Sequence, residues 1–470
     1  MTSQPEQFDY ILLGSGAGAK SLAWTLSSTQ QGKKCAVIEH NWIGGSCPNV
    51  ACLPSKNFIN SANVAYLTRH AQSYGQAAFV SNAGADAKTD MEIVRGRKAA
   101  MVDEEVQLHV GKFASTGVEL IRGYGKFIGP KTLEVNGRVL TGDVVIIGTG
   151  SRAVVDSSIP GLQAAKPLTH VEILDIKTLP LHLIILGGGY VGIEFAQAFR
   201  RFGSEVTVIQ RNVQVLRDED EDIVSVLVEV LEREGVKFLT STTVTNVSGV
   251  SGGEVVVTTS GANATTIRGS HLLIAAGRTP NTSGIGLVES GINLTETGHV
   301  AVDEQLQSSI PGVFAVGDCA GSPYFTHIGY DDFRIVHSNL TGSPRLGGKN
   351  NRHVPSTLFT SPELAHVGLR ETEAKAQGIK YRLAKAPMGA FLRTRTHGQM
   401  DGFAKALVEA DGDRILGFTA LGAGAGELLP VVQLAMKLGV SYKEIADMVI
   451  AHPTMNEGLI AVFSGVPPSV

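Results

Sequence analysis

Twice in this chain an apolar run stops at a cluster of glycines, continues as a helical stretch and returns to a second apolar run. Residues 8–13 end at Gly14-Ser15-Gly16-Ala17-Gly18-Ala19, ahead of a helix to about 28 and a strand at 35–38. Residues 183–186 end at Gly187-Gly188-Gly189-Tyr190-Val191-Gly192, ahead of a helix to about 202 and a strand at 205–209. A strand, a tight glycine turn and a helix in that order make a β-turn-α-β opening with room for an anion at the helix N-terminus. Two such openings predict an α/β chain with two Rossmann-like, three-layer dinucleotide-binding domains. Its 470 residues exceed one ordinary core, so two to four domains are expected.

In the first opening Gly14 and Gly16 allow the tight turn and the close approach of a pyrophosphate, and Ala19 is small enough for close helix–strand packing. Glu39, twenty residues beyond Ala19, falls where a carboxylate would bind the ribose hydroxyls of an adenosine. Five residues later begins Gly44-Gly45-Ser46-Cys47-Pro48-Asn49-Val50-Ala51-Cys52-Leu53-Pro54-Ser55-Lys56. Cysteines spaced this way at a helix start can close a small, strained disulfide, and reduction gives thiolates favoured by the helix N-terminus and a nearby cation. Two buried structural cysteines, or half of a metal site, are the other readings. A metal site needs further soft ligands, and only Cys35, inside a strand, and Cys319, after a turn, remain. No metal is therefore expected.

The run GGSCPNVACLPSK resembles the active-site segment of the class I pyridine nucleotide–disulfide oxidoreductases, a family that includes dihydrolipoamide dehydrogenase, glutathione reductase and the mercuric reductases. The likeness spans the chain, with motifs in the family order. It implies FAD on the first unit, with Gly45, Ser46 and Lys56 in contact, Cys52 against the flavin and Cys47 as the thiol that meets the substrate. It pairs Lys56 with Glu194 of the second unit, and makes Gly148-Thr149-Gly150 and Gly317-Asp318 further flavin contacts. Gly187, Gly189, Tyr190 and Gly192 would hold the nicotinamide dinucleotide, with Tyr190 as an aromatic lid. Gly277 and Arg278, after the strand 271–275, join the cofactor-binding set. His452-Pro453-Thr454-Met455-Asn456-Glu457 matches the family's HPTxxE signature, in which a carboxylate-oriented imidazole moves protons to and from a thiol. In the family that pair comes from the partner subunit. A homodimer is implied, with a C-terminal α+β dimerisation domain. The expected division is 1–150 and 278–350 for FAD, 151–277 for NAD(P)H, and 351–470 for the dimer interface.

At the end of the second unit's second strand, Gln210 and Arg211 stand where an NADH site wants an acid, and Arg217 follows six residues on. Two arginines suit a 2′-phosphate, so NADPH is expected, although Gly192 completes a motif more usual in NADH enzymes. The acceptor is left open among a low-molecular-weight disulfide, a metal ion and a quinone. Trp24 stands near the place of the glutathione reductases' substrate arginine. Residues 325–334 resemble mercuric reductases, but no cysteine follows Cys319 to hand over mercury. Dihydrolipoamide dehydrogenase is the rival enzyme reading, and a non-catalytic flavoprotein subunit a third.

The net charge of −4 and the scattered basic residues point away from nucleic acid. No window approaches the ~18 apolar residues of a membrane span. Residues 1–9 carry neither a basic nor an apolar leader region, and four cysteines do not make a secreted disulfide scaffold. The expected location is the cytosol, the expected partners a second copy and a small-molecule acceptor.

Overall fold

The computed structural model describes residues 4–30, 32–76, 89–345 and 347–469. Strand β1 (Glu6–Leu13) lies between β2 (Cys35–Glu39) and β6 (Arg138–Ile147), parallel to both, and β3 (Glu119–Arg122) extends the sheet beyond β2. Alternation along β1 explains the layers. Ile11 and Leu13 enter one core, while Tyr10 and Leu12 enter the core on the opposite face with Leu22 and Leu26 of the helix Ala17–Thr29. A parallel sheet covered on both faces needs such an unbroken apolar run.

β6 serves two neighbours along one edge. Its start pairs antiparallel with β5 (Thr132–Val135), itself paired with β4 (Lys126–Gly129), and its end pairs parallel with β16 (Val313–Ala315). Between β6 and β16 the chain builds a second parallel sheet, ordered β10 (Val236–Leu239), β9 (Glu205–Ile209), β8 (His182–Leu186) and β14 (His271–Ile274). A three-stranded antiparallel sheet, β11 (Thr242–Gly249), β12 (Val255–Gly261) and β13 (Thr266–Gly269), is inserted within it. The chain leaves and re-enters the first unit through an antiparallel strap of β7 (Ser151–Ala153) and β15 (Arg278–Pro280). The last unit is a five-stranded antiparallel sheet, ordered β17 (Ser356–Leu358), β18 (Glu363–Gly368), β21 (Ile415–Gly422), β20 (Phe403–Glu409) and β19 (Tyr381–Pro387). The expected class, two three-layer nucleotide-binding folds and a C-terminal α+β unit, is the one the chain adopts.

In the sequence, residues 55–114 read as one long helical region, 219–234 as an amphipathic helix and 236–266 as hairpins, and the structure changes all three readings. Residues 236–239 form a parallel edge strand rather than part of a hairpin, because Val236 and its neighbours pair along β9. The helical stretch 55–114 is two helices, Cys52–Arg69 and Met91–Ser115, and its residues 77–88 lie outside the described ones. The amphipathic helix starts at Glu221, which frees Glu219 and Asp220 to bind the last unit. Lys405, with no exposed surface, binds Asp220 at 2.8 Å, Asp222 at 2.7 Å and Glu371 at 3.3 Å, tying the second unit to the last. No helix among the described residues is long and apolar enough to cross a membrane.

Candidate active site

The glycine turns are shaped by close backbone crossings. A Cβ on Gly14 would lie 2.3 Å from the Gly148 carbonyl oxygen, and one on Gly148 would meet Ala19 at 2.9 Å, so the strand end and the first helix meet only because all three residues are small. Gly187 and Gly192 repeat the device. Their added Cβ atoms would lie 2.4 Å from the Ala275 oxygen and 2.0 Å from the Gly187 oxygen. Packing therefore requires Gly192 whichever coenzyme binds.

Gly16 and Gly189 are different. Both have ordinary negative φ, and Cβ atoms there would meet nothing closer than 3.7 Å, and nothing within 4 Å, respectively. They cap helices that have neither a side-chain cap nor an acid in the first turn, which leaves free N–H groups and the positive dipole end facing outward. Two such ends fit two pyrophosphates. Gly150, Gly277 and Gly317 also face open space, at φ of +68°, +123° and +70°. The residues present thus fit an extended dinucleotide on each unit.

Glu39 accepts from the Ser15 amide and hydroxyl at 2.9 and 2.8 Å and from the Asn41 amide at 2.8 Å, so it braces the first glycine turn. Thr149 follows Gly148 in that same crossing, its hydroxyl oxygen buried. Asp318 accepts a hydrogen bond from Ser151, and Arg278 donates to Ser151 Oγ at 2.8 Å while pairing with Asp318 at 3.8 Å. The Gly317 amide is held by Asp332 at 2.7 Å, and Asp332 in turn by Arg352 at 2.6 Å.

Cys47 lies in the short helix Ser46–Asn49, whose N-cap is Gly45, and Cys52 opens the helix Cys52–Arg69. Both stand as free thiols. A hydrogen bond from Cys47 holds Cys52 down to about 6 against the opposing effect of burial, with help from Thr326 and the Lys56 charge. Cys47 is pushed up by that same bond and by burial, so it keeps its proton. Thr326 Oγ1 lies 3.1 Å from Cys52 Sγ. Lys56, one turn beyond Cys52, meets Glu194 at 2.8 Å, and the other Glu194 oxygen accepts the Phe359 amide at 3.0 Å. All three units therefore meet behind the cysteine pair.

Lys20 flanks the pair from the first helix. Its ammonium donates to the Gly44 carbonyl at 3.1 Å and lies 2.9 Å from His109 Nε2, with Trp24 stacked on His109. Burial lowers Lys20 to about 8, and burial lowers His109 to about 4.

A cleft of about 1850 Å³ opens beside Gly187–Gly189 and carries Tyr190, Arg211, Arg217 and Gly277 on its walls. Arg217 pairs at 3.1 Å with its neighbour Asp218, and the charge of Arg211 reaches Asp156 across the same cleft. His452 Nδ1 lies 2.9 Å from Glu457 Oε1, and the imidazole is 62% exposed. Within the chain, among the described residues, Glu457 is its hydrogen-bonding partner.

The sequence profile of the family described as pyridine nucleotide-disulphide oxidoreductase matches residues 8–338, and that of its dimerisation domain matches 354–461. The chain belongs to this pyridine nucleotide–disulfide oxidoreductase family. Its relatives include a dihydrolipoyl dehydrogenase of Thermus scotoductus, 31% identical over 458 residues that cover 96% of each chain. A mercuric reductase of Bacillus cereus is 30% identical over 96% of this chain and 70% of its own. Among solved structures, the HOCl-induced flavoprotein disulfide reductase RclA of Escherichia coli superposes with a TM-score of 0.87 at 30% identity, over 97% of this chain and 99% of that one. Members are FAD-dependent oxidoreductases that use a nicotinamide coenzyme, and the dimerisation domain supports a homodimer.

The motif reading passed over Thr326, Ser151, Asp332 and Lys20. Thr326 stood inside the stretch resembling mercuric reductases, but 274 residues separate it from Cys52 and no spacing rule joins them. Lys20 carried a signal in hindsight, since a lysine one turn into a helix beginning at a glycine turn sits beside whatever that turn approaches.

Proposed function

We propose that this chain is an NADPH-preferring disulfide oxidoreductase whose Cys47–Cys52 pair carries two electrons to a small-molecule acceptor. The observation that carries the reading is the asymmetric dithiol, with Cys52 poised as thiolate and Cys47 as thiol beside the Lys56–Glu194 bridge. We assign residues 1–150 and 278–350 to flavin binding, 151–277 to the nicotinamide coenzyme and 351–470 to the dimer interface of a cytosolic homodimer.

Gly14, Gly16, Ala19, Glu39, Gly45, Ser46, Lys56, Thr149, Gly150, Gly317 and Asp318 would hold FAD. Bound FAD supplies two-electron exchange between a nicotinamide and a sulfur. Gly187, Gly189, Tyr190, Gly192, Gly277 and Arg278 would hold the coenzyme, with Arg211 and Arg217 toward a 2′-phosphate. Asp156, opposite Arg211, offsets part of that charge.

Two electrons and one proton convert the Cys47–Cys52 disulfide to a Cys52 thiolate and a Cys47 thiol. His452 of the partner subunit, oriented by the partner subunit's Glu457, takes the Cys47 proton. The Cys47 thiolate then attacks one sulfur of a disulfide acceptor, and the first leaving thiolate receives that proton. Attack of Cys52 on Cys47 Sγ releases the second thiolate and restores the internal disulfide. One NADPH and one proton thereby yield two thiols. Lys56 keeps Cys52 anionic between these steps, and Glu194 keeps Lys56 in place. A soft metal ion or a quinone could accept the same electrons. The 31% identity to dihydrolipoyl dehydrogenases supports a second reading, in which the pair oxidises a dithiol with NAD.

The test is oxidation of NADPH and of NADH by the FAD-loaded protein with small disulfides, dihydrolipoamide, Hg(II), Cu(II) and quinones, in wild type and Cys47→Ser. The reading expects disulfide turnover faster with NADPH and lost in the variant. Turnover indifferent to Cys47 for every acceptor would refute the cysteine path, and NAD-linked dihydrolipoamide oxidation alone would favour the second reading.

A further inference from the structure

Tyr190 is more firmly held than a mobile lid would need. Its hydroxyl donates to Glu219 Oε1 at 2.8 Å, with Ser356 Oγ at 3.3 Å. Glu219 is itself buried, and Arg370 grips both its oxygens, Nε to Oε2 at 2.9 Å and Nη2 to Oε1 at 2.8 Å. Arg370 belongs to the last unit. It is fixed there at the N-cap of a short helix, its amide donating to Glu373 Oε2 at 2.8 Å. One residue on from Glu219, Asp220 accepts the Thr372 amide and hydroxyl at 2.9 and 2.8 Å and also binds Lys405. The joint behind Glu219 is therefore rigid, and all of Tyr190, Glu219 and Arg370 line the coenzyme cleft.

From this geometry we infer that Glu219, clamped by Arg370, is a positioning residue that latches Tyr190 and thereby sets the rate at which a nicotinamide enters the cleft. The inference rests on the reading of that cleft as the coenzyme site. Glu219 and Arg370 touch neither the cysteine pair nor the glycine turns, so they act through the Tyr190 hydroxyl. Burial and the Glu219 charge push that phenol above its ordinary range, so it stays a donor at every working pH. Swinging the ring aside costs a hydrogen bond to a carboxylate whose position the ring does not control. Because Arg370 comes from the last unit and Tyr190 from the second, the latch also reports the packing of those units at the coenzyme gate.

The test is stopped-flow reduction of the FAD-loaded protein by NADPH, and separately by NADH, in wild type, Glu219→Gln, Tyr190→Phe and the double variant, with Arg370→Lys as a milder change to the same joint. Glu219→Gln, which keeps a neutral acceptor, should raise the second-order rate constant of reduction about three- to tenfold, and Tyr190→Phe, which loses the bond to a carboxylate, about tenfold or more. The limiting rate at saturating coenzyme should change less. The double variant should be no faster than Tyr190→Phe alone. An acceleration by Glu219→Gln that persists undiminished in the Tyr190→Phe background would overturn the latch, since Glu219 would then act by another route. Unchanged rates in Tyr190→Phe would overturn it as well, and that variant leaves the Glu219–Arg370 pair intact, so a folding defect at the joint cannot mask the result. If wild type is reduced by neither coenzyme, the coenzyme-site reading fails and the latch with it. If wild type is reduced and the variants match it, only the latch fails.

Discussion

Replacing Thr326 by valine removes one hydroxyl and little volume, and it should raise the pKa of Cys52 by about one unit. The hydroxyl lies 3.1 Å from Cys52 Sγ and favours the thiolate, so its loss destabilises the charged form and the pKa rises. Hydrogen bonds to charged groups are worth about 1.5–3 kcal/mol, and sulfur accepts at the weak end of that range. At about 1.36 kcal/mol per pKa unit the shift is roughly one unit, from about 6 toward about 7. The thiolate fraction near pH 6 then falls roughly fivefold. The sign of the pH dependence follows: Cys52 is thiolate above its folded pKa and is lost to the thiol as pH falls through about 6 in wild type. The assay is the pH dependence of alkylation of the reduced protein, in a Cys47→Ser background so that one thiol reports, with Thr326→Ser as the variant that restores the donor. The Cys47→Ser background keeps a hydroxyl donor beside Cys52. A midpoint unmoved in Thr326→Val, or moved equally in Thr326→Ser, would refute the reasoning.

Replacing His452 with glutamine should lower disulfide turnover by about 10²–10⁴ while reduction by NADPH stays within about twofold, measured by steady-state and stopped-flow rates on the same preparation. Lys405→Met should cost about 3–5 kcal/mol in denaturant unfolding, because three carboxylates lose a cation that has no exposed surface. Lys20→Met should stabilise the protein at pH 7 by about 3 kcal/mol, since a lysine lowered from 10.5 to about 8 opposes folding while protonated. That gain should shrink as pH rises from about 8 toward the ordinary lysine value of 10.5, which thermal melts across this range would read.

The two glycine turns were legible because each is a local event. Gly14, Gly187 and Gly192 are needed by crossings within one β-turn-α-β unit, and the units announce themselves in twenty-odd residues. The cysteine pair and its lysine were legible for the same reason, lying within ten residues of chain. Long-range partners were legible only where a family pattern supplied them, as with Lys56 and Glu194, which are 138 residues apart. Thr326, Ser151 and Arg370 had no such pattern. Each is an unremarkable residue at the start of a strand or a helix, brought to the site by sheet order. The edge strand at 236–239 was misread because its apolar residues continue into a true antiparallel sheet, and composition does not mark where parallel pairing ends. Local hydrogen bonding accounts for His327, which binds the Pro355 carbonyl at 2.8 Å, and for His366, bonded at both nitrogens, whereas His337 Nε2 is buried without a partner.

The most direct test of the account is an anaerobic titration of the FAD-loaded protein with NADPH, followed by absorbance and repeated with Cys52→Ala. Two electrons should produce a long-wavelength thiolate-to-flavin band in wild type and none in the variant, because the thiolate at Cys52 is its source. Bleaching of the flavin alone in wild type, or a band that survives in Cys52→Ala, would contradict the role given to the cysteine pair.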